Sequence, residues 1–176
     1  MADLDLRLLY SREQIAQEVK RVGAEISRDF DGEEVILVVV LKGALLFASD
    51  LMRELDLDAR IDFIRLASYG SDTVSSGVVE LRRNLEFSLR DRHVIIVEDI
   101  VDSGNTLEFL YHRLMQQEPR TLKICTLIDK RARREVEIEP DYAGLVMDDG
   151  FIVGYGLDYD EKYRNLPEIY IADGNA

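Results

Sequence analysis

The residues most able to do chemistry lie in Val94-Ile95-Ile96-Val97-Glu98-Asp99-Ile100-Val101-Asp102-Ser103-Gly104-Asn105-Thr106. Four β-branched residues run into two adjacent carboxylates. A third carboxylate, Asp102, opens a short turn of small and hydroxyl-bearing residues, and helical spacing follows. In a strand–loop–helix unit this places acids and a tight turn at the carboxyl end of a buried strand, where open α/β sheets bind ligands. Residues 102–106 can aim several backbone N–H groups at one anion from a helix N-terminus. Ionised carboxylates only accept hydrogen bonds, so they suit hydroxyl donors or a metal. A phosphorylated sugar combines these demands.

The elements that must position these residues follow from periodicity. Ser11-Arg12-Glu13-Gln14 resembles a capping box, and Ile15, Val19, Val22 and Ile26 recur at helical spacing, which predicts a helix over 12–29. Val35 to Leu41 is a continuous apolar run, the pattern of a strand buried on both faces. Lys42-Gly43 ends it, and a helix is expected over 44–55. Further strands are expected at 60–68, 93–98, 122–128, 144–147 and 151–155, a β-arm at 78–88 and a helix at 105–117. Strands alternating with helices predict an α/β fold with a mostly parallel, twisted sheet flanked by helices. Residues 69–77 are small, polar and glycine-bounded, which predicts a flexible lid loop, with a plain hairpin tip as the alternative.

Composition sets the outer limits. The 176 residues suit one domain spanning 1–176, and 47% hydrophobic content allows a sizeable core. Twenty-two basic against 35 acidic residues give a net charge of −13, which argues against nucleic acid as a partner. The run Lys130-Arg131-Ala132-Arg133-Arg134 is a local exception, readable as a solvated basic turn. The single cysteine, Cys125, falls in an apolar strand pattern and reads as a buried, inert thiol. His93 and His112 read as structural. No apolar run reaches the roughly 18 residues of a membrane span, and no signal peptide opens the chain. The expectation is a cytoplasmic protein with no membrane partner.

Other readings of the acidic pair are a metal site, a phospho-acceptor or a solvated strand end. A receiver-like signalling domain would want an acidic pair near the N-terminus, but Asp3 and Asp5 precede no buried strand, and the Gly104 turn would have no role. No Walker A spacing exists, and Gly154-Tyr155-Gly156 lacks the third glycine of a dinucleotide fingerprint.

Glu98 to Thr106 resembles the phosphoribosyl pyrophosphate-binding motif of type I phosphoribosyltransferases. Val40-Leu41-Lys42-Gly43, Ser68-Tyr69-Gly70, Leu127-Ile128-Asp129-Lys130, and Phe151 to Tyr159 continuing through Tyr163-Arg164-Asn165-Leu166-Pro167 resemble its hypoxanthine-guanine (6-oxopurine) branch. Together these segments span about residues 35–170. The resemblance implies transfer of the 5-phosphoribosyl group to hypoxanthine or guanine, with Mg²⁺ as cofactor. It implies a small hood built from the two chain ends, and a homodimer or homotetramer. Glu98 and Asp99 would meet the ribose hydroxyls. Asp102, Ser103, Gly104, Asn105 and Thr106 would hold the 5′-phosphate. Asp102 would be the general base at purine N7. Lys42, Gly43 and Arg164 would hold pyrophosphate, and the Leu41–Lys42 peptide can be cis. Lys130, Phe151, Ile152 and Asp158 would bind the purine, Lys130 at O6 and Phe151 by stacking. Ser68 and Tyr69 would belong to the lid, and Glu98, Asp99 and Asp158 would face the metal. Taken singly, Asp102 could cap a helix, Phe151 could be a core aromatic and Lys42 a strand-end lysine. Asn105 departs from the family pattern; it adds a phosphate hydrogen bond or favours the turn. The serine-rich lid is short, as in bacterial-type members. The alternative from another class is a regulator of the same fold that binds nucleotide or RNA without this catalysis.

Overall fold

The computed structural model describes residues 4–68, 79–81 and 85–173. Its elements are β1 (Asp5–Tyr10), α1 (Arg12–Asp29), β2 (Val35–Leu41), α2 (Leu45–Glu54), β3 (Ala59–Ser68), β4 (Val79–Leu81), β5 (His93–Val101), α3 (Asn105–Met115), β6 (Thr121–Lys130), β7 (Tyr142–Met147), β8 (Ile152–Val153) and β9 (Ile169–Asp173). Helix α1 begins where the capping box requires. The Gln14 amide donates to Ser11 Oγ, and the Ser11 amide donates to Gln14 Oε1.

Strands run in the order β4-β3-β2-β5-β6-β7 in the main sheet. All neighbours pair in parallel except β4, which is antiparallel to β3. The mostly parallel sheet is as expected. Alternate side chains of β2 and β5 enter two cores. Leu37, Val39, Ile95 and Val97 meet the apolar stripe of α1 (Ile15, Val19, Val22, Ile26) and Phe47 and Leu51 of α2. Ile36, Val38, Val94 and Ile96 meet Leu107, Leu110 and Leu114 of α3. Burial on both faces explains why these strands are apolar runs and not alternating patterns. Cys125 is fully buried in the first core.

The strand order reverses between β2 and β5. One side leads to β3, the other to β6 and β7. The β2–β5 ladder ends at Val39–Val97, so Glu98 and Asp99 begin where the two strands part. Parallel pairing brings the carboxyl ends of β2, β5, β6 and β7 to one edge of the sheet. This is the topological switch point of an open α/β sheet.

A second, antiparallel sheet in the order β1-β9-β8 joins the two ends of the described chain. Sequence periodicity does not predict β1 or β9. The strand expected over 151–155 is only Ile152–Val153, because Gly154, Tyr155 and Gly156 all take positive φ and turn the chain. In the expected arm over 78–88, Val79–Leu81 pairs with β3, while residues 85–88 are not strand. Instead, the Glu86 and Phe87 amides donate to the carboxylate of Asp62, at 2.6 and 3.1 Å. Asp62 is only 2% exposed. The expected lid, including Tyr69, lies outside the described residues, and Ser68 is the last residue of β3.

Asp62 therefore anchors the chain entering β5 to a parallel strand. Asp62→Ala withdraws a buried acceptor from two amides and is expected to cost about 1–3 kcal/mol, read as a lower urea midpoint at unchanged slope. Asp62→Asn, which keeps an acceptor, should lose less. Equal midpoints for wild type and the alanine variant would show that the anchor contributes nothing.

Candidate active site

The carboxyl end of β5 carries Glu98 and Asp99 half-buried into the switch point. Exclusion of water raises both carboxyls above their ordinary range, and the Asp99 charge pushes Glu98 up further. Asp99 Oδ1 accepts from the Ile100 amide at 2.8 Å. The other face of Asp99 lies against Gly43, where a Cβ would overlap its carboxylate. Only glycine admits that approach, so Gly43 lets the β2 loop close over the acids. The Leu41–Lys42 peptide just before it is cis.

After β5 the chain passes through Asp102 and Ser103 to Gly104, which precedes the first turn of α3 at φ 87°. A side chain there would be strained, and its Cβ would lie 2.7 Å from Val136 Cγ2. Gly104, not Asp102, holds the N-cap position, and no side chain caps the helix. The amide donors of this first turn are thus not satisfied by a cap side chain. A cavity of about 140 Å³ is lined by Glu98, Asp102, Ser103, Gly104 and Thr106.

Asp102 opens the turn with its two carboxylate oxygens in different surroundings. Its Oδ2 faces Lys130 Nζ at 3.3 Å and Arg133 Nη1 at 3.8 Å. Its Oδ1 is buried with no hydrogen-bond partner among the described residues. Lys130 ends β6, is 5% exposed, and also meets Asp149 Oδ1 at 3.4 Å. Phe151 follows shortly after and is 49% exposed, with Tyr159 edge-on at 5.5 Å. An aromatic face that open is not a core residue. The Ile152 side chain is buried in the first core, so only its backbone is left to meet a ligand.

Two cations converge on the far side. Lys42 Nζ meets Glu161 Oε2 at 2.5 Å, and Arg164 Nη2 meets Asp158 Oδ1 at 2.8 Å and Glu161 Oε1 at 3.6 Å. Arg164 Nη1 donates to the Gly156 carbonyl at 2.7 Å, while its buried Nε has no partner among the described residues. The Lys42 contact holds Glu161 below the ordinary carboxylate range. A helix start with no side-chain cap, two cations, a carboxylate with one oxygen unpartnered among the described residues and an open aromatic thus border one sheet edge.

The phosphoribosyl transferase domain family matches residues 8–160. The hypoxanthine-guanine phosphoribosyltransferase of Bacillus subtilis is 42% identical over 163 residues, covering 93% of this chain and 91% of that one. A crystal structure of the Bacillus anthracis hypoxanthine-guanine phosphoribosyltransferase superposes with a TM-score of 0.92 at 44% identity, covering 97% of this chain and all of that one. The bifunctional TilS/HprT protein of Listeria monocytogenes is 42% identical over 165 residues, and the chain spans only 26% of that protein. This chain belongs to the phosphoribosyltransferase family, in its hypoxanthine-guanine branch.

Glu98, Asp99, Asp102, Ser103, Gly104 and Thr106 fall on one strand–turn–helix unit, with Lys42 and Gly43 in the loop that follows the neighbouring β2. The structure bears on three further expectations. The Asn105 side chain donates to Glu135 Oε2 at 2.6 Å. Among the described residues no three or more His, Cys, Asp or Glu side chains gather into a ready-made cage, so Glu98, Asp99 and Asp158 stay an expectation for a metal held together with substrate. Lys130 does not open a solvated run, because both it and Arg134 are folded inward while Arg131 and Arg133 face solvent. Sequence reasoning missed Glu161, Asp149 and Arg134. Glu161 had one available signal, its helix-like spacing of three from Arg164. Burial pushes the Cys125 thiol up, as expected of an inert cysteine. His93 bonds Thr121 and packs edge-on with Phe30, while His112 packs beside Tyr111, both structural as read.

The acidic pair gives stability a pH dependence. A carboxyl raised by folding stabilises the fold below its ordinary value of 4.5 and loses that contribution as pH rises through its raised value. Glu98→Gln should therefore melt a few degrees above wild type at pH 8, about 2–4 °C for each kcal/mol recovered, with the gain vanishing near pH 4. Coincident melting curves at both pH values would show that Glu98 ionises at no cost.

Proposed function

We propose that the chain transfers the 5-phosphoribosyl group from phosphoribosyl pyrophosphate to hypoxanthine or guanine, giving IMP or GMP and pyrophosphate. The observation that carries this reading is Asp102: one oxygen held by Lys130, the other buried and without a partner among the described residues, at the mouth of the phosphate turn. In the reaction the C1–O bond to pyrophosphate breaks, a purine nitrogen bonds to C1, and Asp102 takes the N7 proton. The centre passes through an oxocarbenium-like state. Glu98 and Asp99 accept from the ribose hydroxyls and lie close enough to favour the developing positive charge. Amides of the 102–106 turn and the Ser103 and Thr106 hydroxyls bind the 5′-phosphate. Lys42 and Arg164 leave Glu161 to clamp pyrophosphate, the planar fork of Arg164 matching two oxygens at once. Phe151 stacks on the purine, and the buried Lys130 ammonium donates to O6.

The few carboxylates here fit Mg²⁺, which is held by one or two protein oxygens plus substrate phosphates and not by a full protein cage. Glu98, Asp99 and Asp158 are the residues that would face it. When bound, Mg²⁺ supplies charge neutralisation for the departing pyrophosphate. A cytoplasmic location and a homodimer or homotetramer belong to the same proposal. Among the described residues no helix is long and apolar enough to cross a membrane. The net charge of −13 gives no support to an RNA-binding regulator.

The direct test is steady-state turnover with phosphoribosyl pyrophosphate, Mg²⁺ and each purine. Nucleotide formation with hypoxanthine or guanine is expected, and its absence under all conditions would end this reading. Asp102→Asn should lower kcat by roughly 10²–10⁴ while changing phosphoribosyl pyrophosphate affinity little. Wild-type kcat in that variant, where chemistry limits turnover, would remove Asp102 from its role.

Base selection follows from Lys130. Adenine presents an amino group to an ammonium, leaving two buried donors unpaired, which costs about 1–3 kcal/mol or more when one is charged. Lys130→Gln can present either a donor or an acceptor, so the hypoxanthine-to-adenine ratio of kcat/KM should fall by about tenfold or more. An unchanged ratio would show that Lys130 does not read the base.

A further inference from the structure

Arg134 sends its guanidinium into the space beneath the phosphate turn. Nε donates to the Asp102 carbonyl at 3.0 Å, and Nη2 reaches the Val101 carbonyl at 3.3 Å, the Lys130 carbonyl at 3.3 Å and Asp129 Oδ1 at 2.5 Å. Nη1 donates to the Ile138 carbonyl. The next residue continues the pattern, since the Glu135 amide donates to the Ser103 carbonyl at 2.9 Å. Glu135 also receives the Asn105 amide at 2.6 Å, and Val136 and Ile138 close against Gly104. Three successive carbonyls of the turn, from Val101, Asp102 and Ser103, are thus held by two adjacent residues.

A planar peptide turns as a unit, so its C=O and the following N–H point in opposite directions. Fixing the Asp102 and Ser103 carbonyls downward fixes the Ser103 and Gly104 N–H groups upward, toward the cavity at the end of β5. The same guanidinium bonds the Lys130 carbonyl, so it ties the end of β6 to the end of β5. Asp129, buried at 3% exposure, supplies its counter-charge.

We infer that the 134–138 segment is a brace that sets the anion-binding face of the turn, with Arg134 as a positioning residue for Asp102 and for the Ser103 and Gly104 amides. Neither Arg134 nor Glu135 touches substrate in this scheme. The inference rests on the phosphoribosyl pyrophosphate reading above.

Two variants separate the brace from a merely structural role. Arg134→Lys keeps a cation beside Asp129, but one ammonium lacks the fork that spans two carbonyls. Its melting temperature should stay within a few degrees of wild type. Its Kd for Mg²⁺-phosphoribosyl pyrophosphate, measured calorimetrically, should rise about tenfold, and kcat should fall, as loss of a charged hydrogen bond predicts. Glu135→Ala changes an exposed residue, so it tests the idea even if the lysine variant does not fold. Electrostatics alone predicts tighter binding when a carboxylate near the phosphate turn is removed. The brace predicts binding weakened about threefold, because Asn105 loses its tether. Wild-type affinity in folded Arg134→Lys, or unchanged or tighter binding in Glu135→Ala, would overturn the inference. Failure of the wild-type protein to bind phosphoribosyl pyrophosphate would instead overturn the functional reading beneath it.

Discussion

The arrangement depends on driving two adjacent carboxylates out of a fully buried strand. Val94 to Val97 lie in the centre of the sheet with ladders on both sides, and Glu98 and Asp99 emerge where β2 diverges. Like charges side by side in poor contact with water are unfavourable. The long ladders and two cores hold the strand there regardless. The acids are then oriented before any ligand arrives, and hydroxyl donors from a sugar offer what the protein withholds. Gly43 follows from the same constraint, because no side chain fits between the β2 loop and Asp99.

The acidic chain balances its own site in the free state. Lys42 rests on Glu161, Arg164 on Asp158 and Glu161, and Lys130 on Asp102 and Asp149. Each cation assigned to the substrate already has a carboxylate. In the proposed function binding is therefore an exchange of anions, and the affinity is the difference between two sets of ion pairs. Exposed pairs such as Lys42–Glu161 contribute little in water and yield easily. The Lys130 pair is more enclosed, so its exchange demands a ligand group that accepts as well as a carboxylate does. A 6-oxo group qualifies where an amino group does not.

Much of the architecture was legible in the chain, for identifiable reasons. Helix α1 spans Arg12–Asp29 as the capping box and apolar spacing require, and β2 spans its apolar run. Buried parallel strands announce themselves because both faces are apolar. Strands β1 and β9 do not. They are short and partly exposed, and pair across more than 150 residues, so their register is decided by tertiary contact. The turn at 154–156 cut short an expected strand through backbone conformation that composition does not display. Motif positions located the acids, the turn and the terminal arginine. Arg134 and Asp62 stayed hidden because charged residues default to solvent in any sequence reading, and the exposed Glu161 and Asp149 because their partners Lys42 and Lys130 lie far away along the chain. Only the fold reveals which charges are turned inward.

Under the proposed function, such inward-turned charges narrow which atom can take the proton. Asp102 has two oxygens and a carbonyl. Arg134 holds the carbonyl, Lys130 holds Oδ2, and Oδ1 alone is left buried and unpartnered among the described residues. The base is thus narrowed to one atom by two neighbours of opposite task, one gripping the backbone and the other able to move to the purine. In that reading, a Lys130 that turns toward an oxygen at the purine's 6-position gives up part of its hold on Asp102 Oδ2. A purine without that oxygen would then fail to draw Lys130 away from Asp102, so in the proposed function base recognition and the exposure of the Asp102 carboxylate pass through a single ammonium.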